Sequence, residues 1–345
     1  MAVPSKMKAL LLRESGFALG PSGGAIESME PYLELTTTAV PSPSASEVLI
    51  KVGLASVNPS DIMLIKGLYG RPRIKGRPAG LEGVGVVVAA GRSAEAKALA
   101  GRRVAFSTET SDWGSWAGYA VAGATACIAL EDAVKDTDGA AMIVNPMTAL
   151  ALLDIVRDAG EKAFVLAAGA SQISKLIIAA AREEGFRAIS IVRLHYQIPR
   201  LKEAGAAHVL NTQAQDYQSN LRELLQAERP RVLLDAVTGP LASGVFDLMA
   251  EGARWVIYGR LDGSATAIKD PSQMIFNNKR IEGFWVGSWI RRHSARRTEI
   301  EQDAQRRFVD GRWSTDVTAV IPLSEAIERV PSELMKPNGK VFLAP

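Results

Sequence analysis

The chain has a single cysteine among its 345 residues, Cys127, and only three histidines, His195, His208 and His293. One thiol excludes an internal disulfide and leaves no second ligand for a Cys-x-x-Cys zinc lobe. The histidines are scattered without ligand spacing, so no metal is expected. Absence of disulfides fits a reducing compartment. Long hydrophobic runs are missing too: the longest, such as residues 176–181, are far too short to span a bilayer. The opening Met1-Ala2-Val3-Pro4-Ser5-Lys6 carries no continuous apolar stretch of the signal-peptide kind. A soluble cytoplasmic protein with no membrane partner is expected. Charge of one sign is also lacking, with 40 basic side chains against 37 acidic ones. That excess is too small to argue for nucleic acid as a partner.

What is present is apolar content, 47% of the chain, on a length that favours two domains. The first part reads as short strands separated by Gly and Pro: 7–12, 47–52, 83–90 and 103–106, each bounded by turn formers. Residues 16–29, with Gly16, Gly20, Gly23 and Gly24, are expected to form a surface loop or extended hairpin. Near Asp138 the pattern changes. Pro146 suits the first turn of a helix running to Val156. Strands at 163–168, 187–192, 208–210, 231–237 and 253–258 then alternate with helices at 172–184, 200–204, 213–228 and 240–250. Such alternation implies βαβ units and a parallel sheet, hence an α/β fold. The segment 322–345 returns to short strands and is expected to rejoin the first domain. The expected division is 1–138 with 312–345, and 139–311.

The turn leaving the first strand of the second domain is Gly169-Ala170-Ser171-Gln172-Ile173-Ser174. Against the dinucleotide fingerprint it keeps only the first glycine. Its context, a buried strand entering a helix, places backbone N–H groups and the helix dipole where a pyrophosphate would sit. Ser171 and Ser174 are small enough for close approach. About twenty residues on, where NAD-specific sites place an acid, stands Arg193, with His195 and Arg200 nearby. A guanidinium there suits a 2′-phosphate, so NADPH is the expected cofactor.

Three stretches of the first domain stand close together: Asn58-Pro59-Ser60-Asp61, Gly67-Leu68-Tyr69-Gly70 and Gly80-Leu81-Glu82-Gly83. They resemble the segment in which zinc-dependent medium-chain dehydrogenase/reductases carry a metal ligand at each end. Here Asn58 stands in place of a Cys and Leu81 in place of a His, so the chain resembles a zinc-independent member. Gly114-Ser115-Trp116-Ala117-Gly118-Tyr119, Val144-Asn145-Pro146-Met147-Thr148 and Gly283-Phe284-Trp285-Val286-Gly287 narrow the likeness. They resemble the trans-2-enoyl thioester reductase and quinone oxidoreductase branch.

That resemblance implies a Rossmann domain plus a GroES-like, β-rich catalytic domain. It implies an NADPH site formed by Asn145, Thr148, Gly169, Ala170, Ser171, Gln172, Ile173, Arg193, His195, Tyr258, Gly259, Phe284, Trp285, Val286 and Lys340. Asn58, Trp116 and Trp285 are expected in the substrate pocket, with a homodimer joined through the last strand of the nucleotide domain, near 281–286. Gln172 and Ser174, where relatives keep a later glycine, and Leu194 and His195, where they carry a charged pair, depart from the pattern.

The chemistry expected is a conjugate reduction: hydride from NADPH to the β-carbon of an activated C=C bond, and a proton to the α-carbon. A tyrosine keeps its proton at neutral pH and can donate it; the resemblance gives Tyr69 that role, against the alternative of a loop aromatic packed on its neighbours. Asp61 and Glu82 are read as structural. Trp113 and Trp289 are read as core. Arg71, Arg73, Lys75 and Arg77, and likewise Arg291, Arg292, Arg296 and Arg297, are read as solvated, the alternative for the first group being to meet the phosphates of coenzyme A. The competing functions are an NADPH:quinone oxidoreductase, which needs no tyrosine proton, and a non-catalytic nucleotide- or RNA-binding protein, which would need a continuous basic surface.

Overall fold

The structure is a computed structural model that describes residues 3–18, 25–336 and 339–345. The glycines Gly20, Gly23 and Gly24 of the expected loop lie outside them. Two compact units are present, one of Met1–Val144 with Glu301–Pro345 and one of Asn145–Ile300.

The first unit begins with an antiparallel ribbon, β1 (Lys6–Leu12) against β2 (Leu33–Ala39). A long strand, β3 (Glu47–Val57), leads through Asn58 into helix α1 (Pro59–Ile65). Strands β4 (Glu82–Ala90), β5 (Arg103–Ser107), β6 (Tyr119–Gly123) and β7 (Cys127–Ala129) follow, with short helices α2 (Ala94–Ala98) and α3 (Asp136–Ala140). β3 is buried over most of its length, with Lys51 and Gly53 exposed. Its inward face joins a core that includes Ile50, Val104, Phe106 and Trp116.

Helix α4 (Val144–Asp158) opens the second unit. Six parallel strands alternate with helices: β8 (Ala163–Leu166), α5 (Gln172–Glu183), β9 (Arg187–Val192), α6 (Gln197–Ala204), β10 (His208–Asn211), α7 (Tyr217–Glu228), β11 (Val232–Asp235), α8 (Gly239–Leu248), β12 (Arg254–Ile257), α9 (Ser272–Phe276) and β13 (Arg280–Gly283). The spatial order is β10-β9-β8-β11-β12-β13. The chain steps outward one way from β8, then returns to its other side at β11. The switch point, where a crevice opens at the strands' carboxyl ends, is therefore between β8 and β11.

Helices α10 (Val286–Arg292) and α11 (Ser294–Val309) lead back to the first unit. There β14 (Val317–Pro322), α12 (Ala326–Leu334) and β15 (Lys340–Ala344) complete the sheet of order β14-β15-β3-β4-β5-β7, with β6 also on β3. The expected all-strand ending is thus corrected: α12 packs Val330 into the core and carries Pro331 in its interior. A proline there reads as a helix breaker, and burial of an apolar face overrides it.

Candidate active site

In the first unit, β15 pairs antiparallel with β3 so that Val341 faces Val57, which brings Lys340 beside Asn58. The Lys340 ammonium donates to Asn58 Oδ1. Asn58 Nδ2 donates to Ser56 Oγ at 2.9 Å and to Glu82 Oε1 at 2.8 Å. Glu82 accepts further from Ser56 Oγ at 2.7 Å and, through its other oxygen, from the Ile143 and Val144 N–H groups at 3.2 and 2.8 Å. Asp61 accepts from Asn58 N at 2.7 Å and from Leu81 N at 2.7 Å, closing the first turn of α1 and holding the start of β4. All five side chains are buried. Burial pushes the Asp61 carboxyl up to about 7, its backbone donors pulling the other way. Burial lowers the Lys340 ammonium, against the attraction of Glu82 and Asp61.

This network corrects one expectation. Both hydrogens of the Asn58 amide are spent on protein partners, so it has no donor left for a substrate. Trp116 is a second correction. Its ring is fully buried in the core and its Nε1 donates to Ser56 O at 3.1 Å, so it presents no wall to a ligand. Gly80, at φ +95°, lets that ring approach; a Cβ there would run into Ser115 Oγ and the indole.

Tyr69 lies on the loop after α1, and the loop is fastened on both sides. Gly67, at φ +75°, turns the chain, and its carbonyl accepts from Ala18 N at 2.9 Å. Arg71 Nη1 donates to the carbonyls of Thr108, Glu109 and Ser111 at 2.8 to 2.9 Å. Arg73 is buried and bonds Gly16 O, Ile65 O and the Glu14 carboxylate. Arg77 lies over the Trp113 ring at 4.6 Å. These three arginines were expected in solvent; buried carbonyls, an acid and an aromatic face hold them instead. Tyr69 itself is half-buried, and its hydroxyl meets Glu109 Oε1 at 3.4 Å.

In the second unit, the turn after β8 is built for close approach. A Cβ on Gly169 would meet Ser190 Cβ at 2.8 Å and Ile191 O at 2.9 Å. Ser171 caps α5, accepting from Ser174 N at 3.1 Å, and Ser174 Oγ donates to Ala168 O at 2.8 Å. The hydroxyls of Ser190 and Tyr258 are buried without a hydrogen-bond partner. Burial pushes the Tyr258 phenol up to about 12, with Ser174 and Ser171 beside it. Such orphaned hydroxyls are costly unless a water or ligand completes them. Ala170, Gln172 and Ile173 are half-buried on the same turn, and Arg193 and His195 are exposed just past β9. Gly259 follows Tyr258, and its backbone runs beside Ala236.

The remaining expected residues are more dispersed along the chain. Asn145 and Thr148 are buried one turn apart at the start of α4. Phe284, Trp285 and Val286 are half-buried after β13, with Arg291 placed 5.1 Å from the Trp285 ring. Trp289 is buried and stacks on His293 at 4.8 Å, in keeping with packing. Arg296, with its side chain 38% exposed, pairs with Asp154 and Glu299.

The sequence reading missed the loop after β11. Asp235 is fully buried and accepts from Val237 N, Thr238 N and Trp255 Nε1. Thr238 is held at φ +66°, a strained conformation for a β-branched residue. The signal was available as an acid and a glycine, Asp235 and Gly239, closing a strand at the switch point.

Comparison with known proteins follows the same division. The alcohol dehydrogenase GroES-like domain family matches residues 44–132, and the zinc-binding dehydrogenase family matches residues 173–302. A Mesorhizobium loti crystal structure described as an NADPH:quinone reductase is 62% identical over the full length of both chains, with a TM-score of 0.96. The mitochondrial enoyl-[acyl-carrier-protein] reductase of Bos taurus is 27% identical over 307 residues, 85% of this chain and 76% of that one. An enoyl thioester reductase from Candida tropicalis, in a mutant form, shares the fold with a TM-score of 0.79 at 19% identity, over 99% of this chain and all of that one. The chain belongs to the medium-chain dehydrogenase/reductase family of oxidoreductases, with relatives among enoyl reductases and quinone reductases.

Proposed function

We propose that the protein is a zinc-independent, NADPH-dependent reductase of activated C=C bonds in enoyl thioesters or enones, with Tyr69 giving the proton to the α-carbon. The observation that carries this reading is Tyr69 itself. Its phenol is half-buried on a loop fastened at Gly67, Arg71 and Arg73, and in the same unit Asn58 is bonded to Lys340. A fixed phenol and no thiolate or imidazole at the two ligand positions suit proton donation.

The second unit fits a dinucleotide. Gly169 lets the turn into α5 lie against β9, the N-terminus of α5 offers N–H groups to a pyrophosphate, and Arg193 offers charge for a 2′-phosphate. Ser190 and Tyr258 are unsatisfied hydroxyls at the same strand ends. NADPH, when bound, supplies the hydride. The protein's own tasks are then to orient the acceptor, exclude water and deliver one proton from Tyr69 Oη. Asp61, Asn58 and Glu82 act behind the loop by fixing the ends of α1 and β4.

A second reading, quinone reduction, is favoured by the 62% identical relative's description. We also read the protein as a homodimer whose nucleotide-domain sheets meet at β13. The deciding experiment is anaerobic NADPH oxidation with a trans-2-enoyl thioester, a simple enone and a quinone, using wild type and Tyr69→Phe. The variant should lose about a hundredfold in kcat on the C=C acceptors, with NADPH affinity kept. Undiminished C=C turnover in the variant removes Tyr69 from the chemistry. Turnover of quinone alone establishes the second reading.

A further inference from the structure

We propose that Asp262 limits how strongly the nucleotide site prefers NADPH over NADH, by setting an acid against Arg193 from a different strand end. This rests on the reading of Arg193 as the partner of a 2′-phosphate.

Sites that select NAD carry an acid at the end of the second strand, where it holds the ribose 2′-hydroxyl. Here β9 ends at Val192 and Arg193 follows it. β9 lies two strands from β11, with β8 between them. At about 4.8 Å per strand the two strand ends stand about 10 Å apart, a span that an arginine side chain largely covers. Asp262 reaches the β11 end from the loop after β12, and its backbone is pinned there. The Leu261 and Asp262 N–H groups donate to Ala236 O and Val237 O, both at 2.9 Å. The carboxylate lies over the start of α8, where Gly239 stands at φ +67° and a Cβ would meet Asp262 Oδ2 at 2.7 Å. Oδ1 accepts from Ser264 N at 2.8 Å. The Ser264 N–H and hydroxyl hold the Asp262 carboxyl below its usual range, and Arg193 adds the attraction of its charge.

Arg193 is exposed and Asp262 half-buried, so an anion that comes to the guanidinium also meets the carboxylate. A 2′-phosphate carries about −1.5 to −2 charges at neutral pH. Arg193 attracts it, and Asp262 both repels it and offsets the charge of Arg193. The 2′-hydroxyl of NADH carries no charge and feels neither effect. In partly solvated surroundings one such acid weakens the binding of a phosphate by about fivefold. An arginine at the end of β9 read alone therefore overstates the preference for NADPH. The opposing acid stands 69 positions further along the chain and comes alongside only because the loop after β12 folds back onto the end of β11.

The test is direct titration of the purified protein with NADPH and with NADH, followed by nucleotide fluorescence and without any acceptor. Asp262→Asn keeps an oxygen for the Ser264 N–H and removes the charge. It should bind NADPH about fivefold more tightly than wild type, with NADH affinity unchanged within about twofold. The gain should shrink between about 25 and 500 mM salt, as a charge effect must. Asp262→Ser, which drops the carboxylate altogether, should give the same gain and serves if the first variant does not fold. Unchanged NADPH affinity, a shift shared equally by NADH, or a gain independent of salt overturns the inference and leaves the reductase reading intact. Arg193→Leu should lower NADPH affinity about tenfold and spare NADH; an unchanged ratio there moves the 2′-phosphate elsewhere and overturns the inference. Binding of neither nucleotide by wild type overturns the NADPH reading, and this inference with it.

Discussion

At the scale of single residues, the most consequential group is the buried set around Lys340. Lys340 holds Asn58, and Glu82 and Asp61 supply the opposing charge. Removing one partner of a buried charged set leaves the rest uncompensated, which costs about 3–5 kcal/mol. Lys340→Met should therefore lower unfolding stability by about that much, read by urea titration. Glu82→Gln alone also costs stability, because one of its oxygens becomes an amide facing donors. The double variant should cost less than the sum of the singles by about 1–3 kcal/mol, since it removes both charges. Additive costs would show that Lys340 is not the counter-charge of Glu82. The sequence marked Asn58, Glu82 and Lys340 as notable but could not join them. Asn58 and Lys340 are 282 positions apart, and only the antiparallel register of β15 on β3 brings them together.

At the scale of elements, legibility followed the strength of local periodicity. The strands from β8 to β12 and the helices between them were legible because each is a short apolar run or amphipathic stretch closed by a turn former, such as Gly185 or Gly205. Helix α1 was not, because Asn-Pro-Ser-Asp reads as a turn; it forms because Pro59 suits a first helical turn and Asp61 closes the cap. The β1–β2 ribbon was half-read: β2 is threonine-rich and only partly buried, so no alternation stood out. The cofactor turn was legible as a strand-to-helix turn, while its energetics were not. Ser171 already satisfies the Ser174 N–H as the cap of α5. Ser171→Ala should cost about 1 kcal/mol of stability through loss of the cap, measured by thermal or urea unfolding. A variant as stable as wild type would show that the cap contributes nothing and that the serine is kept for the ligand alone.

At the scale of the molecule, the edge of the second unit's sheet at β13 has no strand partner beyond β12 among the described residues. β13 pairs only with β12 among the described strands, and its far side carries Ile281, 40% exposed. Just before it, Ile275 and Phe276 stand 75% and 78% exposed. Ile268, Pro271 and Met274 line an apolar depression with Ile281. Unprotected edges with apolar side chains invite pairing, and soluble proteins blunt or cover them. A second copy can cover this edge about a two-fold axis, since antiparallel pairing of β13 with itself is self-complementary. Each copy would then bury the other's Ile275 and Phe276. Sedimentation of the wild type at micromolar concentration should give a dimer. Phe276→Glu with Ile275→Glu should give a folded monomer with its circular dichroism unchanged, because these side chains are 78% and 75% exposed within one chain. A wild-type monomer, or a double variant that remains dimeric, would place the subunit contact elsewhere or remove it, and the exposed edge would then need another partner.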